Sequence, residues 1–153
     1  MRFVRGRPRS DLFHLRCNVT KLDATALATP VEISQIVGDV LDFLARENVD
    51  ARATHHAALV IEEVLSNLGT HGGCRDKPAR ITVSIEPSRV RGEIIDRGPP
   101  FDPRDARASG AAALGEPEAG GFGLRLVRHF STVEYAYRNG ENCMTFFVNR
   151  AAH

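Results

Sequence analysis

The chain lacks most of what would take a protein to a membrane, a disulfide framework or a nucleic acid. No apolar run in it approaches the ~20 residues needed to span a bilayer. Its first residues, Met-Arg-Phe-Val-Arg-Gly-Arg-Pro, are basic but have no apolar stretch behind them, so no secretory signal is expected. Cysteine is scarce: Cys17, Cys74 and Cys143 are an odd set, far apart, without Cys-x-x-Cys spacing. That argues against a disulfide scaffold or a zinc knot and suits a reducing compartment. Charge of one sign is lacking too. Twenty Lys and Arg stand against 19 Asp and Glu, a net of +1. A chain this balanced has no general electrostatic reason to bind nucleic acid or an anionic membrane. The exception is local: Arg2, Arg5, Arg7 and Arg9 crowd residues 1–10 beside Pro8, a flexible basic arm best read as a solvated terminus. The expectation is a soluble, cytoplasmic protein.

What is present fits one domain, since 153 residues can bury a real core. From Leu12 to Val19 apolar and polar residues alternate, which predicts a half-buried strand. Thr29-Pro30 reads as a helix start with Thr29 as the cap. Ile33, Ile36, Val37, Val40, Leu41 and Leu44 follow at helical spacing, and Asn48 and Asp50 end the run. A second helix is predicted over 53–68, with Ala57, Ile61, Val64, Leu65 and Leu68 inward. The period then changes to strands at Ile81–Ile85 and Val90–Ile95, joined by a turn at Glu86–Arg89. Residues 99–121 are rich in Pro, Gly, Ala and Asp without an apolar period; a loop of that length is usually functional or disordered. A short helix over 123–130 and two strands joined at Asn139-Gly140 complete the chain. The fold class is α+β: a single-domain two-layer α/β sandwich, helices on one face of a mixed, mostly antiparallel sheet.

Three short segments carry chemistry. Glu63 and Asn67 stand four apart and so share a helix face. There a carboxylate can deprotonate a hydroxyl, and an amide oxygen can ligate Mg²⁺, which takes few ligands from protein. Glu62 points about 100° away and reads as a surface charge. Asp96 ends a strand with Gly98 two residues on. Its carboxylate can accept from an exocyclic amine such as that of adenine, and Gly98, without a Cβ, lets a flat base approach. Pro99-Pro100 stiffens the exit, and Phe101 can close over apolar surface. Gly120, Gly121 and Gly123, with Phe122 and Leu124 among them, open a helix whose first N–H groups suit an anion. Taken singly, each segment reads better as a solvated helix face, a turn or a loop. Their order in the chain reads as one nucleotide site.

Other candidates are weaker. His55 and His56 are adjacent and point apart on a helix, and His14 and His129 have no ligand-spaced partners. His71 lies just past Asn67, where it can contact phosphate or simply cap the helix. Ser66 lacks a nucleophile-elbow pattern, which argues against a triad hydrolase.

The ordered set resembles the N box and two glycine boxes of the Bergerat-fold (GHKL) ATPases. In length and wording it is most similar to the small anti-sigma-factor serine kinases of the RsbW and SpoIIAB type. Glu63-Val-Leu-Ser-Asn67 with His71-Gly72 resembles their N box. Asp96-Arg-Gly98-Pro-Pro-Phe101-Asp102-Pro103 resembles the first glycine box, and Gly120-Gly121-Phe122-Gly123-Leu124 the second. The segment Asn139 to Thr145 is similar to their closing strand. The likeness spans roughly residues 11–150.

The resemblance implies roles. Glu63 would be the catalytic base, Asn67 the Mg²⁺ ligand, and Asp96 the partner of the adenine amine, with Gly98 allowing close packing. Gly121 and Gly123 would meet the phosphates of ATP, Thr145 would assist near the base, and residues 102–119 would form the ATP lid of an 11–150 ATP-binding domain. The partners implied are an anti-anti-sigma (STAS-like) protein phosphorylated on serine and a sigma factor, within a homodimer. Gly69-Thr70 departs from the family's apolar pair, which is expected to loosen the helix end, and the lid offers few basic residues beyond Arg104 and Arg107. The competing reading is a non-catalytic partner-switching module, against which an intact Glu63 argues. A detached histidine-kinase catalytic domain is the third, and the chain shows no upstream helix with a phosphoacceptor histidine.

Overall fold

The computed structural model describes residues 14–18, 20–71, 76–105 and 121–151, with only the backbone described at 14–18, 121 and 122. The arginine arm and most of the expected lid lie outside the described residues. Among the described residues, six strands and three helices follow the order β1 (His14–Asn18), β2 (Lys21–Ala26), α1 (Pro30–Arg46), α2 (Ala51–Thr70), β3 (Ala79–Ile85), β4 (Arg89–Asp96), α3 (Gly121–Phe130), β5 (Thr132–Arg138) and β6 (Glu141–Asn149). They form one sheet of order β1-β2-β3-β4-β6-β5. The expected mixed, mostly antiparallel sheet is antiparallel at each of its five pairings. Three pairings are sequential hairpins, and the α1–α2 pair returns the chain so that β3 enters against β2.

Local chemistry sets the helix ends. Thr29 caps α1, its side-chain oxygen accepting from Glu32 N, with Pro30 in the first helical position. Asn48, at φ 57°, stops the run in the left-handed region. Asp50, expected as part of that stop, instead caps α2 by accepting from Ala53 N at 3.0 Å. The helix therefore starts two residues earlier than the apolar period alone suggests. At its other end α2 runs through Gly69-Thr70 rather than loosening there. A Cβ on Gly69 would lie 2.3 Å from Ala28 O, so this glycine lets the helix press against the β2–α1 connection. The strand β2 is not expected from the sequence, because its inward residues, Leu22, Ala24 and Ala26, include two alanines and make a faint apolar signal.

Burial alternates along the strands and defines two faces. Val90, Gly92, Ile94 and Asp96 of β4 face the helices, as do Asn142, Met144, Phe146 and Val148 of β6. They meet across the ladder in register, with Asp96 opposite Asn142. The core between sheet and helices includes Phe43, Leu44, Ile61, Leu65, Ile81 and Phe146, all fully buried. Helix α2 is central: it packs on α1, α3, β4 and β6.

Candidate functional site

Glu63 and Asn67 are both half-buried on α2. Burial pushes the Glu63 carboxyl above the usual carboxylate range, and the neighbouring charge of Glu62 adds to the shift. The Nδ2 atom of Asn67 is buried and has no hydrogen-bond partner among the described residues. Glu62 is exposed, as expected. With Ser66 it lines a groove of about 630 Å³ between α1 and α2, bordered by Thr29, Ile33 and Val37, which takes in neither Glu63 nor Asn67 and no residue of the two glycine segments. His71 is the C-cap of α2: its backbone N–H donates to Asn67 O at 2.8 Å and its side chain is exposed.

The second glycine segment meets the first segment directly. Gly121 opens α3 and Phe122 follows it, while Gly120 lies outside the described residues. Gly123, in the first turn, is buried against Glu63, where a Cβ would stand 2.2 Å from Oε2. Leu124 and Val127 turn inward and seat the helix on the core. Of the two arginines on this helix, Arg125 is exposed, and Nη1 of Arg128 is buried without a partner among the described residues.

The remaining segment forms a dense polar cluster at the end of β4. Asp96 is 6% exposed, and its Oδ1 accepts from Gly98 N at 2.8 Å and from Asn142 Nδ2 at 2.9 Å. The same Nδ2 also donates to Gly98 O (3.2 Å) and Pro99 O (3.0 Å). Asn142 Oδ1 accepts from Phe101 N at 3.0 Å and from the Tyr135 hydroxyl at 2.6 Å. Phe101 N donates to Tyr135 Oη as well, at 3.0 Å. Burial raises the Tyr135 phenol while its bond from Phe101 N–H works against the shift, so it stays a donor at neutral pH. Just beyond, Arg104 is taken up by Asp102, whose carboxylate it grips at 2.7–3.2 Å and holds below its ordinary pKa, with burial opposing.

One expected residue falls outside the site. Thr145 pairs in register with Glu93 and Glu134, on the sheet face turned away from the helices. Strand periodicity is the reason: Thr145 is three residues from Asn142, and an odd separation changes face. Asn142 and Tyr135 take part where Thr145 does not. The signal for Asn142 was present, since this one amide stands in phase with buried Met144, Phe146 and Val148. Tyr135 carried no such mark.

Residues 26–147 of the chain match the histidine kinase-like ATPase domain family. Among curated proteins it is 34% identical to the serine/threonine-protein kinase BtrW of Bordetella bronchiseptica over 110 residues, 69% of this chain and 78% of that one. Among solved structures it is similar in fold to the RsbU and RsbW domains of Rv1364c from Mycobacterium tuberculosis. The TM-score is 0.62 at 18% identity, with 87% of this chain covered and 34% of that longer one. No described helix is long and apolar enough to cross a membrane.

Proposed function

The chain belongs to the histidine kinase-like ATPase domain family, and from that premise we propose that it is an ATP-dependent serine/threonine protein kinase of the anti-sigma-factor type. Its phosphoacceptor is a serine on an anti-anti-sigma, STAS-like protein, and a sigma factor is its second partner, bound by a homodimer. Residues 11–150 form the ATP-binding domain and 102–119 its lid. The observation that carries the reading is the contact of Gly123 with Glu63. In support, the start of α3, whose first N–H groups suit an anion, lies against a carboxylate whose raised pKa suits a base.

In this reading Glu63 accepts the serine hydroxyl proton. The serine oxygen bonds to the γ-phosphorus, the bond to the β–γ bridging oxygen breaks, and ADP leaves with that electron pair. Asp96, its Oδ1 fixed by two N–H donors, accepts from the adenine amine. The residues present also fit Mg²⁺. Asn67 offers an amide with an unpartnered buried nitrogen, so Oδ1 can ligate the cation while Nδ2 donates to a phosphate or water oxygen. When bound, the cation neutralises charge on the phosphates. Among the described residues no group of three or more His, Cys, Asp or Glu could hold a metal. Asn67 is the protein ligand proposed, phosphates and water supplying the rest. The likeness to BtrW, itself described as a serine/threonine-protein kinase, supports the reaction class.

The test is titration calorimetry of the purified protein with ATP, with and without Mg²⁺, and with GTP as the control. Magnesium-dependent binding that prefers ATP supports the reading and directs the search to a phosphoacceptor serine. No heat at high nucleotide concentration overturns it in favour of nucleotide-independent partner capture.

A further inference from the structure

Asn142 is the hub of the cluster at the end of β4. We propose that Asn142, oriented by Tyr135, is the positioning residue that fixes the base-recognising carboxylate of Asp96 and ties it to the root of segment 102–119. The proposal deepens the nucleotide reading and rests on it.

The amide has only one workable orientation. Its nitrogen meets three acceptors, Asp96 Oδ1, Gly98 O and Pro99 O, while its oxygen meets two donors, Phe101 N and the Tyr135 hydroxyl. Turned over, a carbonyl would face three acceptors and an NH₂ would face the Phe101 N–H. Buried at 4% exposure, the group cannot trade these bonds for water. Tyr135 reinforces the choice, because its hydroxyl donates to Asn142 while accepting from Phe101 N.

Two consequences follow. The carboxylate of Asp96 is held in one rotation by donors from Gly98 and Asn142, so the direction it presents to a purine edge is set by β6 as well as by β4. The backbone at Phe101, which leads into 102–119, is anchored by the same amide. Base recognition and the lid root therefore share one hydrogen-bonded unit carried by the β5–β6 hairpin.

Tyr135→Phe is the informative variant, since it removes one oxygen and keeps the ring. Nucleotide affinities for ATP and GTP, both with Mg²⁺, are measured by calorimetry on the full chain, alone and in an Asp96→Asn background. Thermal melting of each variant is the structural control. We expect Tyr135→Phe to weaken ATP binding about three- to tenfold while GTP binding barely moves, so that the ATP-to-GTP ratio falls. In the Asp96→Asn background the same change should lose its effect on the ratio. Asn142→Asp, which swaps the donor for an acceptor beside Asp96, should lower the ratio further. A merely structural role would lower melting and scale both nucleotides together, which would overturn the proposal. Wild-type protein that prefers ATP beside a Tyr135→Phe protein with an unchanged ratio would also overturn it, leaving the nucleotide reading intact. Wild-type protein that binds neither nucleotide would sink both.

Discussion

Gly123 and Glu63 are in contact across the α2–α3 interface, and the space between them does not admit a methyl group: a Cβ on Gly123 would lie 2.2 Å from Glu63 Oε2 and 3.1 Å from Cδ. The atom it would strike is the end of a flexible side chain, so the structure can yield by moving the carboxylate alone. That separates function from stability at one position.

Gly123→Ala should therefore leave folding intact. Alanine favours a helix interior over glycine by up to about 1 kcal/mol, which offsets the shifted side chain. Phosphoryl transfer, in contrast, should fall by about 10²–10⁴, the usual contribution of a placed general base. Urea denaturation with a single-turnover transfer assay would read both. A variant equally active and equally stable would show that the carboxylate has no required position.

Glu63→Gln makes the converse point. A folded pKa raised by burial means that the unfolded chain ionises this group first. The stability it contributes is present below the ordinary carboxylate value and is lost as pH rises through the raised one. At neutral pH the folded protein carries the cost of a charge it partly buries. The amide removes that cost, so Glu63→Gln should melt higher than wild type at pH 7 and no higher at pH 4. Nucleotide binding should persist and transfer should stop. A variant that melted lower at neutral pH would show that the ionised carboxylate is satisfied by partners.

The contrast between these residues and Thr145 shows what a sequence can and cannot reveal about such a site. Glu63 and Asn67 were legible because helical spacing is local: four residues fix a shared face whatever surrounds them. The hairpin at Asn139-Gly140 was legible too, its two residues at φ 53° and 77° as the turn demands. Roles along β6 depend instead on which residue of β4 stands opposite, and that register is set by packing between strands 46 residues apart in the case of Asp96 and Asn142. The resemblance puts Thr145 near the base, whereas the register brings Asn142 opposite Asp96, and a shift of three positions reverses the face. The contact of Gly123 with Glu63 was likewise beyond reach, because no local pattern states how α3 docks on α2.

Gly92→Ala should be costly for a reason unrelated to chemistry. Gly92 lies in β4 opposite Phe146, and a Cβ there would stand 2.1 Å from two atoms of that fully buried ring. A ring locked in the core cannot swing away as a carboxylate can. Overpacking of this kind costs about 1–3 kcal/mol, and chemical denaturation would measure it. Phe146→Leu introduced with Gly92→Ala should recover part of the loss. If the double variant were no more stable than Gly92→Ala alone, the clash would not be the cause.

His56 supplies the acid-side prediction. Its ring lies on Phe130 of α3, with centroids 4.2 Å apart, at an interface that excludes water from part of the imidazole. Burial lowers its pKa, the charges of Arg52, His129 and His55 lower it further, and only Asp50 opposes them. The unfolded chain thus takes up this proton at a pH where the folded protein refuses it. Stability is fully present above the ordinary histidine value near 6.5 and is lost as pH falls below it, until the depressed folded value is reached. One such site has a ceiling of about 1.4 kcal/mol per pH unit, and a half-buried ring stays under it. His56→Gln cannot charge, so the difference in stability between wild type and variant should shrink or reverse as pH falls from about 6.5 toward the depressed folded value. Subtracting the two pH profiles cancels the other titrating groups, which both proteins share. A difference that stayed flat across that window would mean that His56 protonates as readily in the folded protein as in the unfolded chain, and its stacking on Phe130 would then contribute packing alone.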